Sequence, residues 1–510
     1  MRRAVRAVEV LTRESRRLTG WLRRHGATPT GRLVAGSATV GLALAALLVA
    51  LVGPWDAGQR AAERDSAVAG DLARVEADPD GADGADDADE GEAEEVAEAG
   101  TLPTAGLVLS PLDPGDTGRQ PMPSEAALAD ALEPVLDDAA LGPGATGSVV
   151  DVATGTPLFA DGAASAMTPA STIKLVTAAV ALDSLGPDHR LQTPVVWDQE
   201  RGLLTLVGGG DTTLRSDDLR ALAERTAEAL RAAGTDRVRL GYDISLYPEE
   251  RHPIGVNENI ALITPLMVDT GRLDDSESGP APRATDPAPD AADAFAGYLR
   301  DAGVRVTDGP TAGRAAEDAE QLAVHRSAPL STLVEEMLTH SDNDLAEALG
   351  RHAAIAAGER GDFRGLARAV DDGLRALGLP RDGLRVTDGS GLDREGRLTA
   401  ELLTETLALA AEPDRPELRS ALTGLPVAGF TGTLADRYDP DSGTPAGAGA
   451  GLVRAKTGTL TGVNTLAGTA ITPDGRVLAF AFLANDTVNA FDAQAALDAA
   501  AATLASCSCR

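Results

Sequence analysis

The 510-residue sequence almost lacks lysine. Of its 45 basic side chains only Lys174 and Lys456 are lysines, and arginine supplies the others. Arginine holds its proton at any accessible pH and so cannot act as a base, whereas a desolvated lysine can lose its proton near neutral pH. Two lysines could remain by chance, but the motifs in which they stand indicate that proton exchange is the reason.

Cysteine, aromatic residues and clustered histidines are also scarce. The two cysteines, Cys507 and Cys509, stand at the C-terminus and cannot hold a fold together; a local disulfide and two free thiols both stay open. Aromatic residues make up 3% of the chain, so alanine, valine and leucine must build most of the core. The six histidines are scattered without metal-ligand spacing, and we expect neither a metal nor a cofactor.

Negative charge predominates outside the N-terminal region. The net charge is −33 and the isoelectric point is about 4.5. Such an acidic exterior argues against nucleic acid as a partner. Arginine is concentrated in residues 1–32, which we expect to form a cytoplasmic tail.

An uncharged run over residues 33–55 follows this tail and is long enough to cross a bilayer as a helix. A cleaved signal peptide is the alternative, but its charged region and apolar core are usually shorter. Residues 56–120 are rich in Ala, Asp, Glu and Gly and predict a disordered acidic stalk. We therefore expect a single-pass protein of the cell membrane with its C-terminal part on the extracytoplasmic face.

Globular patterning follows the stalk, from about residue 121. Residues 124–141 have the periodicity of an amphipathic helix, and a turn signal within residues 148–160 predicts a β-hairpin. Strand-like runs and turn signals indicate that residues 191–325 form a separate lobe. Three strands are predicted within residues 452–484, and a helix over residues 490–504.

The two residues of the first lysine motif fall at the start of a predicted helix. Thr168 followed by Pro169 is typical of an N-cap and a first helical position. Ser171 would then lie in the first turn, with Lys174 on the same face one turn along. The helix N-terminus favours negative charge developing near Ser171.

A second group of polar residues falls between two predicted helices, over residues 330–340 and 344–357. Ser341 and Asn343 stand at this junction, where side chains can project into a cleft. The alternative is that Ser341 is only an N-cap. Residues 456–458 are predicted to lie on a strand, and Gly458 would let a substrate backbone approach that strand closely.

Three short motifs stand in order along the chain: Ser171-Thr172-Ile173-Lys174, Ser341-Asp342-Asn343 and Lys456-Thr457-Gly458-Thr459. They match the Ser-x-x-Lys, Ser-Asp-Asn and Lys-Thr-Gly motifs of penicilloyl-serine enzymes. Each motif alone is a weak signal, but the ordered set is specific.

From about residue 102 to the C-terminus, the sequence resembles the D-alanyl-D-alanine carboxypeptidase/endopeptidase family, the low-molecular-mass class C penicillin-binding proteins. Further stretches similar to the family are Leu206-Val207-Gly208-Gly209-Gly210-Asp211, Ser341 to Glu347, Asp388-Gly389-Ser390-Gly391-Leu392 and Leu425-Pro426-Val427-Ala428-Gly429. The resemblance implies an α/β (α+β) transpeptidase fold of the penicillin-binding-protein/β-lactamase type, with an antiparallel sheet flanked by helices. We expect a catalytic domain over residues 121–190 and 326–510, with one inserted lobe over 191–325.

The resemblance also implies acyl transfer on peptidoglycan stem peptides, with β-lactams as covalent inhibitors. Ser171 would be the nucleophile, and neutral Lys174 would take its proton. Ser341 would relay a proton to the leaving amine, and Asn343 would hold the amide of the acyl chain.

The third motif would bind the other end of the substrate. Lys456 would lower the pKa of Lys174 by like charge and would bind the substrate carboxylate together with Thr457. Gly458 lies on the same strand, and the backbone N–H groups of Ser171 and Thr459 are candidates for an oxyanion hole.

Three alternatives to this function differ in chemistry. A class A β-lactamase needs a glutamate that activates water, usually in Glu-x-x-x-Asn, but no asparagine stands between Asn343 and Lys456. A non-catalytic, membrane-tethered cell-wall binding protein is disfavoured by the intact Ser171 and Lys174. A Ser-His-Asp hydrolase is disfavoured because Ser390 lacks a Gly-x-Ser-x-Gly context.

Replacing Lys174 by arginine tests the general-base assignment. Because arginine keeps its proton, we expect the Lys174→Arg variant to be acylated by labelled penicillin about 100-fold more slowly or worse. Acylation near the wild-type rate would show that Lys174 is not the base.

Overall fold

The computed structural model describes residues 121–509, so the predicted tail, membrane anchor and stalk lie outside the described residues. No helix within residues 121–509 has the length and apolar character needed to cross a membrane. The strands there are β1 (Thr146–Asp151), β2 (Pro157–Asp161), β3 (Gln192–Asp198), β4 (Leu203–Val207), β5 (Arg237–Asp243), β6 (Arg305–Val306), β7 (Thr311–Ala312), β8 (Glu320–Arg326), β9 (Val453–Leu460), β10 (Val463–Ile471) and β11 (Val477–Asn485). The α-helices are α1 (Glu125–Leu136), α2 (Lys174–Leu185), α3 (Ser216–Ala232), α4 (Pro287–Asp301), α5 (Leu330–His340), α6 (Asn343–Ala356), α7 (Phe363–Ala376), α8 (Ala400–Ala411), α9 (Ser420–Thr423) and α10 (Ala490–Ser506).

One sheet has five strands in the order β2-β1-β11-β10-β9, and all its neighbouring strands are antiparallel. Successive side chains of a strand point to opposite faces, so Phe480 and Phe482 of β11 face one core and Ala479 and Ala481 face the other. Helices α1 and α10 pack on the first face. Helix α8 packs on the second face, and α2 and α5 to α7 complete the apolar core on that side. This arrangement confirms the predicted antiparallel sheet between helices.

A second sheet lies between Gln192 and Arg326, in the order β6-β5-β4-β3-β8, with β7 paired to β5. Strand β3 is antiparallel to β4 and β8, whereas β4, β5 and β6 run parallel. Helices α3 and α4 pack on this sheet around a separate apolar core that includes Leu206 and Phe295. This second sheet and its core overlap the predicted lobe, residues 191–325, although β8 ends one residue beyond it at Arg326.

Two predicted helices begin or end differently. The helix predicted over residues 124–141 ends at Leu136, and the side chain of Asp138 then starts a short 3-10 turn, Ala139–Leu141. The helix predicted from Pro169 starts instead as the 3-10 turn Ala170–Ile173, and α2 follows from Lys174.

Thr168 does not cap this segment as predicted. Its N–H donates a hydrogen bond to Asn485 Oδ1 at 3.0 Å, and its hydroxyl donates to the carbonyl of Arg394 at 3.3 Å. Ala170 has a φ of 45°, which interrupts the helical path after Pro169. Contacts with neighbouring segments, rather than a helix cap, therefore shape the start of this region.

Cys507 and Cys509 form a disulfide, which was one of the two alternatives that the sequence left open. Cys509 is buried, and its carbonyl accepts a hydrogen bond from the N–H of Ser124 at 2.8 Å. This bond joins the segment after α10 to the start of α1.

A buried ion pair gives a test of the sheet's stability. Asp151 at the end of β1 binds Arg476 through two oxygen–nitrogen contacts of 2.5 and 2.9 Å, and both side chains are buried. Because Asp151→Asn removes the negative charge of a buried carboxylate that binds Arg476, we expect a loss of about 3 kcal/mol in the free energy of unfolding. Chemical denaturation measures this loss.

The matched control is Asp371→Asn, which breaks an exposed pair with Arg375 and should cost less than about 1 kcal/mol. Equal losses in the two variants would contradict the importance of the buried pair.

Candidate active site

A cleft of about 430 Å³ joins the three motifs, and its lining includes the predicted site residues Ser171, Ser341, Asn343, Thr457 and Thr459. The predicted residues Lys174, Lys456 and Gly458 contact this lining from behind. Residues of the 191–325 range also line the cleft, among them Asn259, Arg272 and Arg283. The structure therefore brings all the predicted site residues together.

Ser171 lies on the 3-10 turn that precedes α2. Ala170, directly before it, has a φ of 45°, in a region that costs energy for residues other than glycine. A loop packs directly against this turn, because a Cβ atom on Gly391 would lie only 1.9 Å from the carbonyl oxygen of Ala170. Ser171 thus sits on a backbone turn that tertiary contacts hold in place.

Lys174 is fully buried and has three hydrogen-bond partners. Its Nζ lies 2.9 Å from Ser171 Oγ, 2.8 Å from Asn343 Oδ1 and 2.6 Å from the carbonyl oxygen of Ser390. A neutral amine has two hydrogens and one lone pair. Two of the three partners, the amide and the backbone carbonyl, can only accept hydrogens. The lone pair of a neutral Lys174 therefore points at the Ser171 hydroxyl.

Burial is the main reason that this amine can lose its proton near neutral pH. It lowers the pKa of Lys174 from 10.5 to about 8, although nearby carboxylates, first among them Asp388, act in the opposite direction. The sequence predicted that like charge from Lys456 would lower this pKa, and burial takes that place. The repulsion acts on the second lysine: burial and then Lys174 hold the pKa of Lys456 well below its usual range.

Ser341 ends helix α5 with a φ of 58°, in the left-handed region, and α6 begins two residues later. This sharp junction points Ser341 at Lys456, whose Nζ donates to Ser341 Oγ at 2.8 Å and to the carbonyl of Thr457 at 2.7 Å. Lys456 pairs across the sheet with Ala467, which faces the α2 side. Lys456 consequently lies between the sheet and the motif residues of α2 and α5.

Strand β9 is an edge strand, and its free side borders the cleft. The N–H of Ala455 points outward from the sheet to the carbonyl of Pro426. Because backbone groups alternate along a strand, the N–H groups of Thr457 and Thr459 point to the same side. Two neighbours orient the hydroxyls: Thr433 lies 2.8 Å from that of Thr457, and Gln494 donates to that of Thr459 at 3.3 Å.

The structure explains glycine at position 458 differently from the prediction, which was that it lets a substrate backbone approach. A Cβ atom there would lie 2.2 Å from Thr465 Oγ1 and 2.9 Å from the carbonyl oxygen of Pro169. The space that a side chain would need is therefore filled by Thr465 of β10 and by the turn of residues 169–173 that carries Ser171, called here the nucleophile turn after the predicted role of Ser171. Gly458 lets that turn pack on β9, which sets the distance between Ser171 and the strand.

Sequence reasoning missed the residues behind Lys174. Ser390 supplies a backbone oxygen, and the only sequence signal was the resemblance of the stretch from Asp388 to Leu392 to a known family. His252, Glu347 and Asp388 lie close enough together to hold a metal ion. The carboxylate of Glu347 accepts a hydrogen bond from the N–H of Gly389, and that of Asp388 accepts one from the His252 ring. We therefore assign the three residues to a buried hydrogen-bond network.

Comparison with known proteins identifies the family of this chain. A model of the D-Ala-D-Ala carboxypeptidase 3 (S13) family matches residues 128–277 and 270–506. The chain belongs to this family. Carboxypeptidase DacB of Mycolicibacterium smegmatis is 38% identical over 405 residues, which cover 76% of this chain and 86% of that protein. The D-alanyl-D-alanine carboxypeptidase of an Actinomadura species is 30% identical and covers 70% of this chain and 81% of that protein.

Solved structures share the fold of this S13-family chain. Penicillin binding protein 4 of Haemophilus influenzae superposes with a TM-score of 0.60 at 20% identity, over 74% of this chain and 98% of that chain. The same protein in complex with a β-lactam gives a TM-score of 0.57. The fold and the family that the motifs predicted are thus confirmed.

Gly458→Ala tests the packing of the nucleophile turn. The added methyl group must displace Pro169 or Thr465, so we expect Ser171 to shift and the rate of acylation by penicillin to fall about tenfold or more. Stopped-flow measurement with a fluorescent penicillin gives this rate.

Gly297→Ala is the matched control, since a Cβ atom at this position in α4 meets no atom within 4 Å. We expect its acylation rate to be unchanged and its stability to rise by up to about 1 kcal/mol. Unchanged acylation in both variants would contradict the role of Gly458.

Proposed function

We propose that this S13-family protein hydrolyses D-alanyl-D-alanine bonds in peptidoglycan stem peptides through an acyl-serine, and that β-lactams acylate the same serine. The family to which the chain belongs is that of serine-type D-Ala-D-Ala carboxypeptidases. One observation supports the mechanism above all: the buried amine of Lys174 lies 2.9 Å from the Ser171 hydroxyl. Because burial lowers its pKa to about 8, this amine is partly neutral at physiological pH, and a neutral amine that contacts a hydroxyl activates that hydroxyl for attack.

Acylation begins with proton transfer from Ser171 to neutral Lys174 as Oγ attacks the carbonyl carbon of the penultimate D-alanine. The N–H groups of Ser171 and Thr459 donate to the oxyanion that forms. When the C–N bond breaks, Ser341 gives its proton to the leaving amine. Lys456 replaces that proton through its 2.8 Å hydrogen bond to Ser341.

Deacylation reverses the proton movements with water as the nucleophile. Ser341 takes a proton from the attacking water and passes its own proton to Lys456, which is neutral after acylation. Lys174 returns its proton to Ser171 Oγ as the ester bond breaks. The cycle therefore ends with both lysines in their starting protonation states.

The third motif and Asn343 bind the two ends of the substrate. Lys456 and the hydroxyl of Thr457 hold the terminal carboxylate, whose negative charge favours the protonated form of Lys456. Asn343 donates one Nδ2 hydrogen to the carbonyl of Asn259 at 2.9 Å, and its second hydrogen is available for the amide of the acyl chain.

We further propose that a single span over residues 33–55 holds the protein in the cell membrane. The catalytic domain, residues 121–190 and 326–510, and the inserted lobe, residues 191–325, would then lie on the extracytoplasmic face. The basic residues before the span support this orientation. The Cys507–Cys509 disulfide supports an oxidising compartment.

Labelled penicillin and a defined muropeptide test the proposed reaction. We expect wild-type protein to keep the label, and Ser171→Ala to take up none because the attacking oxygen is gone. Mass analysis of products should show loss of one D-alanine from a pentapeptide, and cleavage of a cross-linked dimer would add endopeptidase activity.

Ser442→Ala, in an exposed loop, is the control and should bind penicillin as the wild type does. Rapid turnover of nitrocefin would indicate a β-lactamase instead. Absence of label on the folded wild-type protein would indicate a non-catalytic binding protein.

A further inference from the structure

The Ser390 carbonyl, which accepts a hydrogen bond from Lys174, belongs to the loop of residues 388–391. Two successive peptide units of this loop are held by hydrogen bonds to side chains, and we call this arrangement the clamp. In the Gly389–Ser390 unit, the carbonyl accepts a hydrogen bond from Thr177 Oγ1 at 2.8 Å. The N–H of the same unit donates to Glu347 Oε1 at 3.0 Å. This peptide plane is therefore held on both sides by buried side chains.

The following unit carries the oxygen itself. The Ser390 carbonyl accepts from Lys174 Nζ at 2.6 Å, and the N–H of Gly391 donates to Asp388 Oδ1 at 2.9 Å. A carboxylate that accepts from the N–H of a peptide unit polarises the unit and strengthens its carbonyl as an acceptor. The direction and the strength of this bond to Lys174 thus depend on how the loop is held.

Glu347 makes two hydrogen bonds to the backbone of this loop. Its Oε1 accepts from the N–H groups of both Gly389 and Ser390 at 3.0 Å, and its Oε2 accepts from Arg351 at 2.7 Å. Glu347 and Arg351 are both completely buried. Arg351 also donates to Glu250 at 2.9 Å, so the clamp reaches the part of the chain that carries the second sheet.

Helix α6 joins this clamp to the active site. Asn343 and Glu347 are four residues apart on α6 and lie on one face of the helix. Asn343 binds Lys174 directly at 2.8 Å, and Glu347 reaches Lys174 through the Ser390 carbonyl. One rigid helix therefore sets both acceptors that take the hydrogens of a neutral Lys174.

We propose that Glu347 is a positioning residue for Lys174. Its carboxylate fixes the 388–391 loop so that the Ser390 carbonyl takes one amine hydrogen and the lone pair stays aimed at Ser171. This inference rests on the proposed function, because it takes Lys174 to be the general base.

The 388–391 loop also contacts the turn that carries Ser171. A residue that holds this loop therefore affects the geometry of the site as well as the stability of the fold. Gly391 packs so tightly on Ala170 that a Cβ atom would lie 1.9 Å from the Ala170 carbonyl oxygen. A loop released from Glu347 would therefore move relative to Ser171 as well as Lys174. The positions of Ser171 Oγ and Lys174 Nζ therefore both depend on how Glu347 holds the loop.

The negative charge of Glu347 makes the pH dependence of acylation a second measurement of its role. The charged groups that face Lys174 come from three parts of the chain: Lys456, Asp388, Asp342, Asp344 and Glu347. The negative charge of Glu347 raises the pKa of Lys174, in opposition to burial. Removing that charge should extend acylation to lower pH, because the neutral base would persist there.

The experiment compares acylation by a fluorescent penicillin, per active site, across pH in full-length wild-type protein, Glu347→Ala and Glu347→Gln. Glu347→Ala removes the clamp and should lower the plateau rate constant about tenfold or more. Glu347→Gln keeps an oxygen for the two N–H groups, so it should recover most of that rate. In Glu347→Gln the rise of the rate with pH, near pH 8 in the wild type, should occur at lower pH.

Asp151→Asn is the matched control, because it also breaks a buried carboxylate–arginine pair but lies outside the cleft lining. We expect it to lower the unfolding temperature and leave the pH profile unchanged. If the Glu347 variants behave in the same way, with wild-type plateau and pH profile per folded molecule, Glu347 is only an anchor and the proposal is overturned. A wild-type protein that penicillin does not acylate would overturn the proposed function instead.

Thr177→Val decides the matter if the Glu347 variants do not fold. Valine has nearly the same shape as threonine and removes the hydrogen bond to the Gly389 carbonyl at 2.8 Å, together with a longer one to the Ile173 carbonyl at 3.4 Å. A plateau rate several-fold below wild type would support the positioning role. An unchanged rate would contradict it.

Discussion

The burial of one amine is the constraint on which the site depends. An ammonium group without water is costly, and burial therefore brings the pKa of Lys174 to about 8. Neutrality alone does not make a useful base, since the lone pair must also have a direction. The amide oxygen of Asn343 and the carbonyl oxygen of Ser390 take the two hydrogens and leave the lone pair for Ser171. Desolvation sets the basicity, and hydrogen bonds set the geometry.

The five-stranded sheet supplies the surface on which this geometry is built. Alternation along β9 places Lys456 toward α2 and the N–H groups of its neighbours toward the free edge. Glycine at 458 and 391 lets the nucleophile turn touch both the strand and the 388–391 loop. The strained φ of Ala170 is maintained by these contacts. Small residues near the cleft therefore serve close backbone packing.

The part of the chain between the first two motifs also takes part in the site. Asn259 accepts from Asn343, and Glu250 accepts from Arg351 behind Glu347. The N–H of Ala261 donates to Asp344, the residue after Asn343. These contacts tie this segment to α6, which places Asn343 against Lys174. Movement of the segment would therefore shift Asn343 relative to Lys174.

By itself the sequence identified the candidate reacting side chains and the one-turn spacing of Ser171 and Lys174, because side-chain chemistry and helix periods are written locally. The antiparallel sheet between helices followed from the resemblance of its motifs to a known family. Only the tertiary structure decided that Ser171 lies on a 3-10 turn, that Gly458 makes room for that turn, and that Ser390 and Glu347 stand behind Lys174. Every residue carries the same backbone carbonyl, so no pattern marks which carbonyl will meet a distant amine. That choice is made by packing between segments hundreds of residues apart.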